Sequence, residues 1–188
     1  DWGGMIAMAW AVRHDCQVRR LVVLNTAAFL PPPGKNLPWQ LKLLRKLPLL
    51  AGPLVLQGNL FARGAARLAP RKRLPKEVRQ GYLAPYRCPK NRLATLKFVQ
   101  DIPLSPGDPS YGLVAKVEAD LTRLRHKPML ICWGRHDFVF DLDYLRQWRR
   151  RFPAARVHLA LAAGHYVLED AADQLLPRID TFLKQRGC

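Results

Sequence analysis

No run in this sequence is apolar for long. Stretches such as Leu21-Val22-Val23-Leu24 are of strand length, far short of the roughly 20 residues that cross a bilayer, so no membrane-spanning helix is expected. Cysteine is scarce: Cys16, Cys88, Cys132 and Cys188 stand apart, without a CxxC spacing. That pattern offers neither a zinc site nor a disulfide framework, and it fits a reducing, cytoplasmic setting. A signal peptide is not visible, and the chain starts on Asp1 rather than Met. Internal repeats and low-complexity tracts are also missing.

Acidic residues are few as well, 14 against 31 Lys and Arg, for a net charge of +17. Charge of this sign attracts nucleic acid, anionic membrane surface or acidic partners. The cations are scattered, however, and only Arg71-Lys72-Arg73 and Arg149-Arg150-Arg151 form runs, both readable as solvated helix faces. No nucleic-acid module accompanies them, so nucleic acid is not an expected partner. Protein docking or attraction to a membrane surface remains open. With 49% hydrophobic and 24% charged residues over 188 positions, the composition is that of a globular chain able to bury a core.

In order, 3–14 reads as a helix with Met5, Ile6, Met8, Ala9 and Val12 on its apolar face. Residues 20–25 read as a buried parallel strand ending in Asn25-Thr26-Ala27-Ala28, where no carboxylate stands. From about 30 to 110 the rhythm changes. Pro31-Pro32-Pro33-Gly34 opens a basic, proline-punctuated section with apolar residues at helical spacing, read as an inserted helical cap. Its Met and Leu stripes are either core or the wall of an apolar substrate tunnel. After Ser110, helices over 113–125, 141–151 and 172–185 alternate with strands over 128–134 and 157–161. This predicts an α/β fold: a parallel sheet flanked by helices, with ligands at the carboxyl ends of the strands. The core spans 1–29 and 111–188, the cap 30–110.

The chemistry sits at those strand ends. Asp1-Trp2-Gly3-Gly4 fits a sharp strand-to-helix elbow, where small residues allow the turn and a nucleophile is exposed. Serine is the familiar nucleophile there; here it is a carboxylate, already ionised at neutral pH and able to form a covalent ester-type intermediate. Asp137 follows one predicted strand by three residues, and His165 follows the next after a short Ala-Ala-Gly turn. Nucleophile, acid, His is the chain order of an α/β-hydrolase triad. His165 would handle the proton as the intermediate collapses, and Asp137 would fix its tautomer. Singly, each residue reads more simply as a loop residue, helix cap or turn; the conjunction carries the reading. Trp2 is either core or a donor toward a leaving halide or oxyanion, and its backbone N–H suits an oxyanion hole. Tyr82, Tyr86 and Tyr111 are packing residues or donors to an epoxide oxygen. Nothing in the spacing asks for a cofactor or a metal ion.

Asp1-Trp2-Gly3-Gly4, the segment 133–140 (Trp-Gly-Arg-His-Asp-Phe-Val-Phe) and the segment 163–171 (Ala-Gly-His-Tyr-Val-Leu-Glu-Asp-Ala) resemble the nucleophile, acid and His motifs shared by haloalkane dehalogenases and epoxide hydrolases. The cap stretches 81–86, 98–106 and 109–111 resemble those of β-lactone decarboxylases of bacterial long-chain olefin biosynthesis. The likeness runs from Asp1 to about Leu183. It implies decarboxylation of a cis-3,4-dialkyl oxetan-2-one to a cis-alkene and CO2, with Asp1 as nucleophile, Asp137 as acid partner and His165 as base. It also implies Trp2, Tyr82, Tyr86, Phe138, Phe140 and Tyr166 at the substrate, no cofactor, and an assembly with a β-lactone synthetase and a reductase. Dehalogenation or epoxide hydrolysis stays open as the other enzyme reading, and a non-catalytic docking subunit as the rival of another class. Members of the resembled family carry further strands ahead of the nucleophile. The chain is therefore expected to be part of a longer protein, and to fold poorly and be inactive alone.

Overall fold

The computed structural model describes residues 2–47 and 51–185. Three parallel strands form its sheet: β1 (Leu21–Leu24), β2 (Met129–Gly134) and β3 (Arg156–Ala160), in the order β1-β2-β3. Leu21 pairs with Met129 and Leu24 with Cys132; on the other side Leu130 pairs with Arg156 and Gly134 with Ala160. The strands thus run out together, and Asn25, Asp137 and His165 all lie just beyond their carboxyl ends.

The central strand explains why the sequence reads as an unbroken apolar run there: every residue of β2 is buried. Alternate side chains point to opposite faces of a sheet. Met129, Ile131 and Trp133 enter one hydrophobic cluster with Met8, Val12, Val23, Phe29, Tyr144 and Trp148. Leu130 and Cys132 enter a second with Ala163, Val167, Leu175 and Phe182. Helices α1 (Trp2–Ala11), α6 (Tyr111–Asp120) and α7 (Leu142–Arg151) cover the first face, and α8 (Val167–Asp170) and α9 (Ala172–Lys184) the second. Asp141 caps α7 by accepting the Asp143 N–H at 2.9 Å.

Two local readings need correcting. Ile6 is 58% exposed, not part of the buried face of α1. Met5, Met8 and Val12 recur three and four residues apart and share one side of the helix; Ile6 and Trp10 share another. The run Arg71-Lys72-Arg73 lies in a non-helical turn rather than on a helix face, whereas Arg149-Arg150-Arg151 does end α7. Gly4 earns its place in the elbow motif by close approach: a Cβ there would stand 2.1 Å from Thr26 Oγ1.

Between β1 and α6 the chain is helical: α2 (Trp39–Lys46), α3 (Leu60–Leu68), α4 (Lys76–Leu83) and α5 (Leu93–Gln100), with a π-turn at Pro53–Gln57. This section gathers Ala51, Val55 and Leu96 into a small cluster of its own, with Leu44 and Phe61 against it. The buried Arg92 satisfies its guanidinium on backbone carbonyls of Leu56, Gln57, Tyr86 and Arg87 at 2.6–3.0 Å. Five donors in a rigid fork suit that task. Among the described residues no helix is long and apolar enough to cross a membrane.

Candidate active site

Beyond β2 the chain turns at Gly134, where an added Cβ would stand 2.1 Å from the Gly164 carbonyl oxygen. Only glycine lets the two loops approach this closely. The turn delivers Asp137 into the interior with its side chain inaccessible to solvent, and the loop after β3 brings His165 against it. His165 Nδ1 lies 2.8 Å from Asp137 Oδ2. A carboxylate only accepts, so the proton is on Nδ1 and Nε2 is the basic nitrogen. The other oxygen of Asp137 accepts the Val139 N–H at 2.7 Å and the Phe140 N–H at 3.0 Å.

A third residue completes this group, one whose significance the sequence hides. Asn25 stands at the end of β1, 2% exposed, with φ of 37°, in the left-handed region where Asn is among the tolerated residues. Its amide nitrogen donates to Asp137 Oδ2 at 2.7 Å and to the Gly164 carbonyl at 3.1 Å. Its amide oxygen accepts the Gly134 N–H at 2.9 Å. One neutral side chain thus ties all three strand ends together. It occupies the place where the sequence shows no carboxylate, and a buried polar residue closing an apolar strand was the only signal for it.

Asp1, the expected nucleophile, lies outside the described residues. Its neighbour Trp2 opens α1, so the Trp2 backbone N–H is one of the first-turn donors that have no partner within the helix. The Trp2 indole stacks on Phe98 of α5, centroids 5.2 Å apart, which joins the start of α1 to the helical section between β1 and α6.

A cavity of about 220 Å³ opens beside His165, lined by Leu24, Asn25, Tyr82, Tyr166, Leu168 and Glu169 among others. Tyr82 and Tyr166, both in its lining, stack on each other with ring centroids 4.8 Å apart. The Tyr82 hydroxyl donates to Glu169 Oε1 at 2.7 Å, so its ring faces the cavity while its proton is engaged. Burial, then the Glu169 contact, pushes the Tyr82 phenol well above its ordinary value. Burial likewise raises Tyr166, with Tyr86 and Glu169 adding to the effect. Phe140 flanks His165 at 5.8 Å and meets Tyr144 edge-on. Phe138, by contrast, is 47% exposed. Tyr86 borders a separate cavity of about 380 Å³ with Asn59, Arg63 and Arg92. The structure therefore puts Tyr82 and Tyr166 in the cavity's lining and Phe140 beside the His165 ring, while Trp2, Phe138 and Tyr86 do not line that cavity. Tyr111 begins α6, partly buried. Among the described residues no group of His, Cys, Asp and Glu is arranged to hold a metal ion.

A family profile described as the alpha/beta hydrolase fold matches residues 1–172. The chain belongs to the α/β-hydrolase fold family. It is 43% identical over 187 residues to a cis-3-alkyl-4-alkyloxetan-2-one decarboxylase of Shewanella oneidensis, covering 98% of this chain and 58% of that protein. A protein of the same name from Xanthomonas campestris pv. campestris is also 43% identical, over 98% of this chain and 61% of its own length. A haloalkane dehalogenase of Mycobacterium marinum is 29% identical over 95% of this chain and 58% of that one. In three dimensions the chain resembles the haloalkane dehalogenase DatA of Agrobacterium tumefaciens C58, with a TM-score of 0.82 at 21% identity over 97% of this chain and 64% of that chain. This likeness speaks for the fold alone. The chain spans about three-fifths of the length of the decarboxylases it matches.

Proposed function

We propose that this chain carries the reacting residues of a β-lactone decarboxylase, which converts a cis-3,4-dialkyl oxetan-2-one into a cis-alkene and CO2. The observation that carries the reading is 43% identity, over nearly the whole chain, to two proteins bearing that activity in their names. The buried Asp137–His165 pair beside an apolar, aromatic cavity supports it. In this reading 30–110 acts as the cap over a core of 1–29 and 111–188.

Asp1 attacks the ring carbon that bears the ring oxygen, forming an alkyl ester to the enzyme as the bond from that carbon to the ring oxygen breaks and a free carboxylate is left on the neighbouring carbon. Fragmentation then cleaves the bond to the carboxyl carbon, forms the double bond and releases the Asp1 carboxylate. Atoms balance without water or a cofactor. His165, oriented by Asp137, lends a proton to the ring oxygen as charge develops on it and takes the proton back before CO2 leaves, with no net change. First-turn N–H groups of α1 stabilise that charge. Relief of ring strain supplies much of the drive, so positioning is the main demand on the protein. Tyr82 and Tyr166 in the lining of the His165 cavity, and Phe140 beside the His165 ring, support a role for them in holding the alkyl chains; Trp2, Phe138 and Tyr86 would meet substrate only outside that lining.

A product this apolar suits a protein working in an assembly with the synthetase and reductase of its pathway, or against a membrane surface. The +17 charge and the exposed Trp39 and Leu43 of α2, with Leu47 just past its end, favour attraction to anionic lipid. Pelleting with anionic but not neutral vesicles checks that part.

The deciding assay takes protein expressed from its whole reading frame, incubates it with a cis-dialkyl β-lactone under mild extraction, and looks for the cis-alkene by gas chromatography–mass spectrometry. Alkene is expected from the wild type and not from Asp1→Ala or His165→Ala. Halide release from haloalkanes, or diol from epoxides, without any alkene would replace this reading with one of the two hydrolase activities.

A further inference from the structure

Asp170 is the second carboxylate buried at this end of the sheet, and the triad does not use it. It ends α8, is 6% exposed, and sits five residues beyond His165. Its hydrogen bonds come from backbone N–H groups of two separate parts of the chain. Gly164, immediately before His165, donates to Oδ2 at 2.8 Å. From the cap side, Arg71 donates to both oxygens at 2.9 Å and Lys72 to Oδ1 at 2.9 Å. The same cap turn is fastened in the opposite sense: the Ala69 carbonyl accepts the His165 N–H at 3.0 Å and the Tyr166 N–H at 3.4 Å. A buried carboxylate is tolerated when several N–H groups converge on it. This one is held by donors that belong to the cap and to the His loop at once.

We infer that Asp170 is a positioning residue that locks the cap turn 69–72 to the His165 loop, so that the placement of the base depends on the seating of the cap. The Tyr82–Glu169 hydrogen bond makes a second, more exposed tie between the same two regions. Cap movement is then excluded at this junction. Any opening that admits substrate must flex the cap elsewhere, and a substrate that displaces the turn 69–72 displaces His165 with it. The catalytic half of the inference rests on His165 acting as the proposed base. The structural half does not.

The test therefore has two readouts on Asp170→Ala and on Asp170→Asn, the second keeping size and one acceptor oxygen. Hydrogen exchange of the full chain, followed by mass spectrometry, needs no substrate. The expected result is faster exchange in peptides covering 69–72 and 163–166, with β2 peptides covering 129–134 as protected as in the wild type. With the β-lactone, kcat should fall about 10- to 100-fold with KM little changed, the signature of a misplaced reacting group rather than lost substrate binding. Asn should lie between Ala and the wild type in both readouts. Wild-type exchange in the two peptides overturns the lock. So does an equal rise in β2 peptides, which would make Asp170 a general stabiliser. Local exchange as expected with unchanged kcat overturns the link to His165. Absence of alkene even from the wild type refutes the β-lactone reading and leaves the exchange result to decide the lock.

Discussion

Removing the Asn25 side chain probes how the three strand ends are held together. Among the described residues, Asn25→Ala deletes one hydrogen bond to the Asp137 carboxylate and two to backbone groups of Gly134 and Gly164. A bond to a charged partner contributes about 1.5–3 kcal/mol and a neutral one about 0.5–1.5 kcal/mol. Alanine also takes over a left-handed backbone position that Asn tolerates better, at a cost of about 1–2 kcal/mol. Some of this overlaps, because loops freed from Asn25 relax and recruit water. A net loss of about 3–5 kcal/mol is expected from the sum. Urea unfolding reads it directly as a lower midpoint at unchanged slope. Asn25→Gly separates the contributions: it loses the same side chain without the backbone penalty, and should recover about 1 kcal/mol relative to Ala. Asn25→Asp keeps the shape but puts a second carboxylate at the 2.7 Å contact with Asp137. Two such groups cannot both ionise there, so the folded state holds a proton longer than the unfolded chain and this variant should lose stability as pH rises above the unfolded carboxylate value near 4. An Asn25→Ala protein within about 1 kcal/mol of wild type would refute the claim that this amide ties the site together.

Two further outcomes follow from groups outside the site. Asp108 accepts the Leu104 and Ser105 N–H groups and pairs with Arg45, and these contacts, the Leu104 bond first, lower its pKa to about 2. A depressed folded-state value contributes stability above the unfolded value near 4 and loses it as pH falls toward about 2. Urea midpoints of wild type and Asp108→Asn should therefore converge across that window; parallel curves would sink the assignment. Burial pushes the Cys132 thiol up to about 11, while Cys16 and Cys88 are exposed. Native alkylation near pH 8 should label Cys16 and Cys88 and spare Cys132 until denaturant is added, as peptide mapping would register.

How much of this was legible beforehand depended on where each residue finds its partners. β2 was readable because a strand buried on both faces must be apolar at every position, which the run Met129–Trp133 displays. Asp137 and His165 were readable because their types, their chain order and their distance beyond a strand are all local features, and the structure puts them 2.8 Å apart. Ile6 was misjudged because an apolar residue near an apolar stripe carries no mark of its angle until the helix meets the sheet. Arg71-Lys72-Arg73 was misread only in being taken for helix: the three residues are exposed to solvent as expected, but they lie in a turn whose Arg71 and Lys72 backbone N–H groups bond to Asp170.

Asn25 and Asp170 were hidden for a deeper reason. Each holds backbone groups about 100 residues away in the chain, and every residue type except proline offers the same backbone N–H. Nothing in the identity of Gly134, Arg71 or Lys72 announces that its amide is a partner. The proposed reacting groups are thus written in side chains, which a motif can display. Their fixing is written mainly in main-chain hydrogen bonds that exist only once β1, β2 and the cap have come together. A substitution at Asn25 or Asp170 should consequently disturb the proposed chemistry as strongly as many changes among the lining residues, although neither position belongs to the proposed triad.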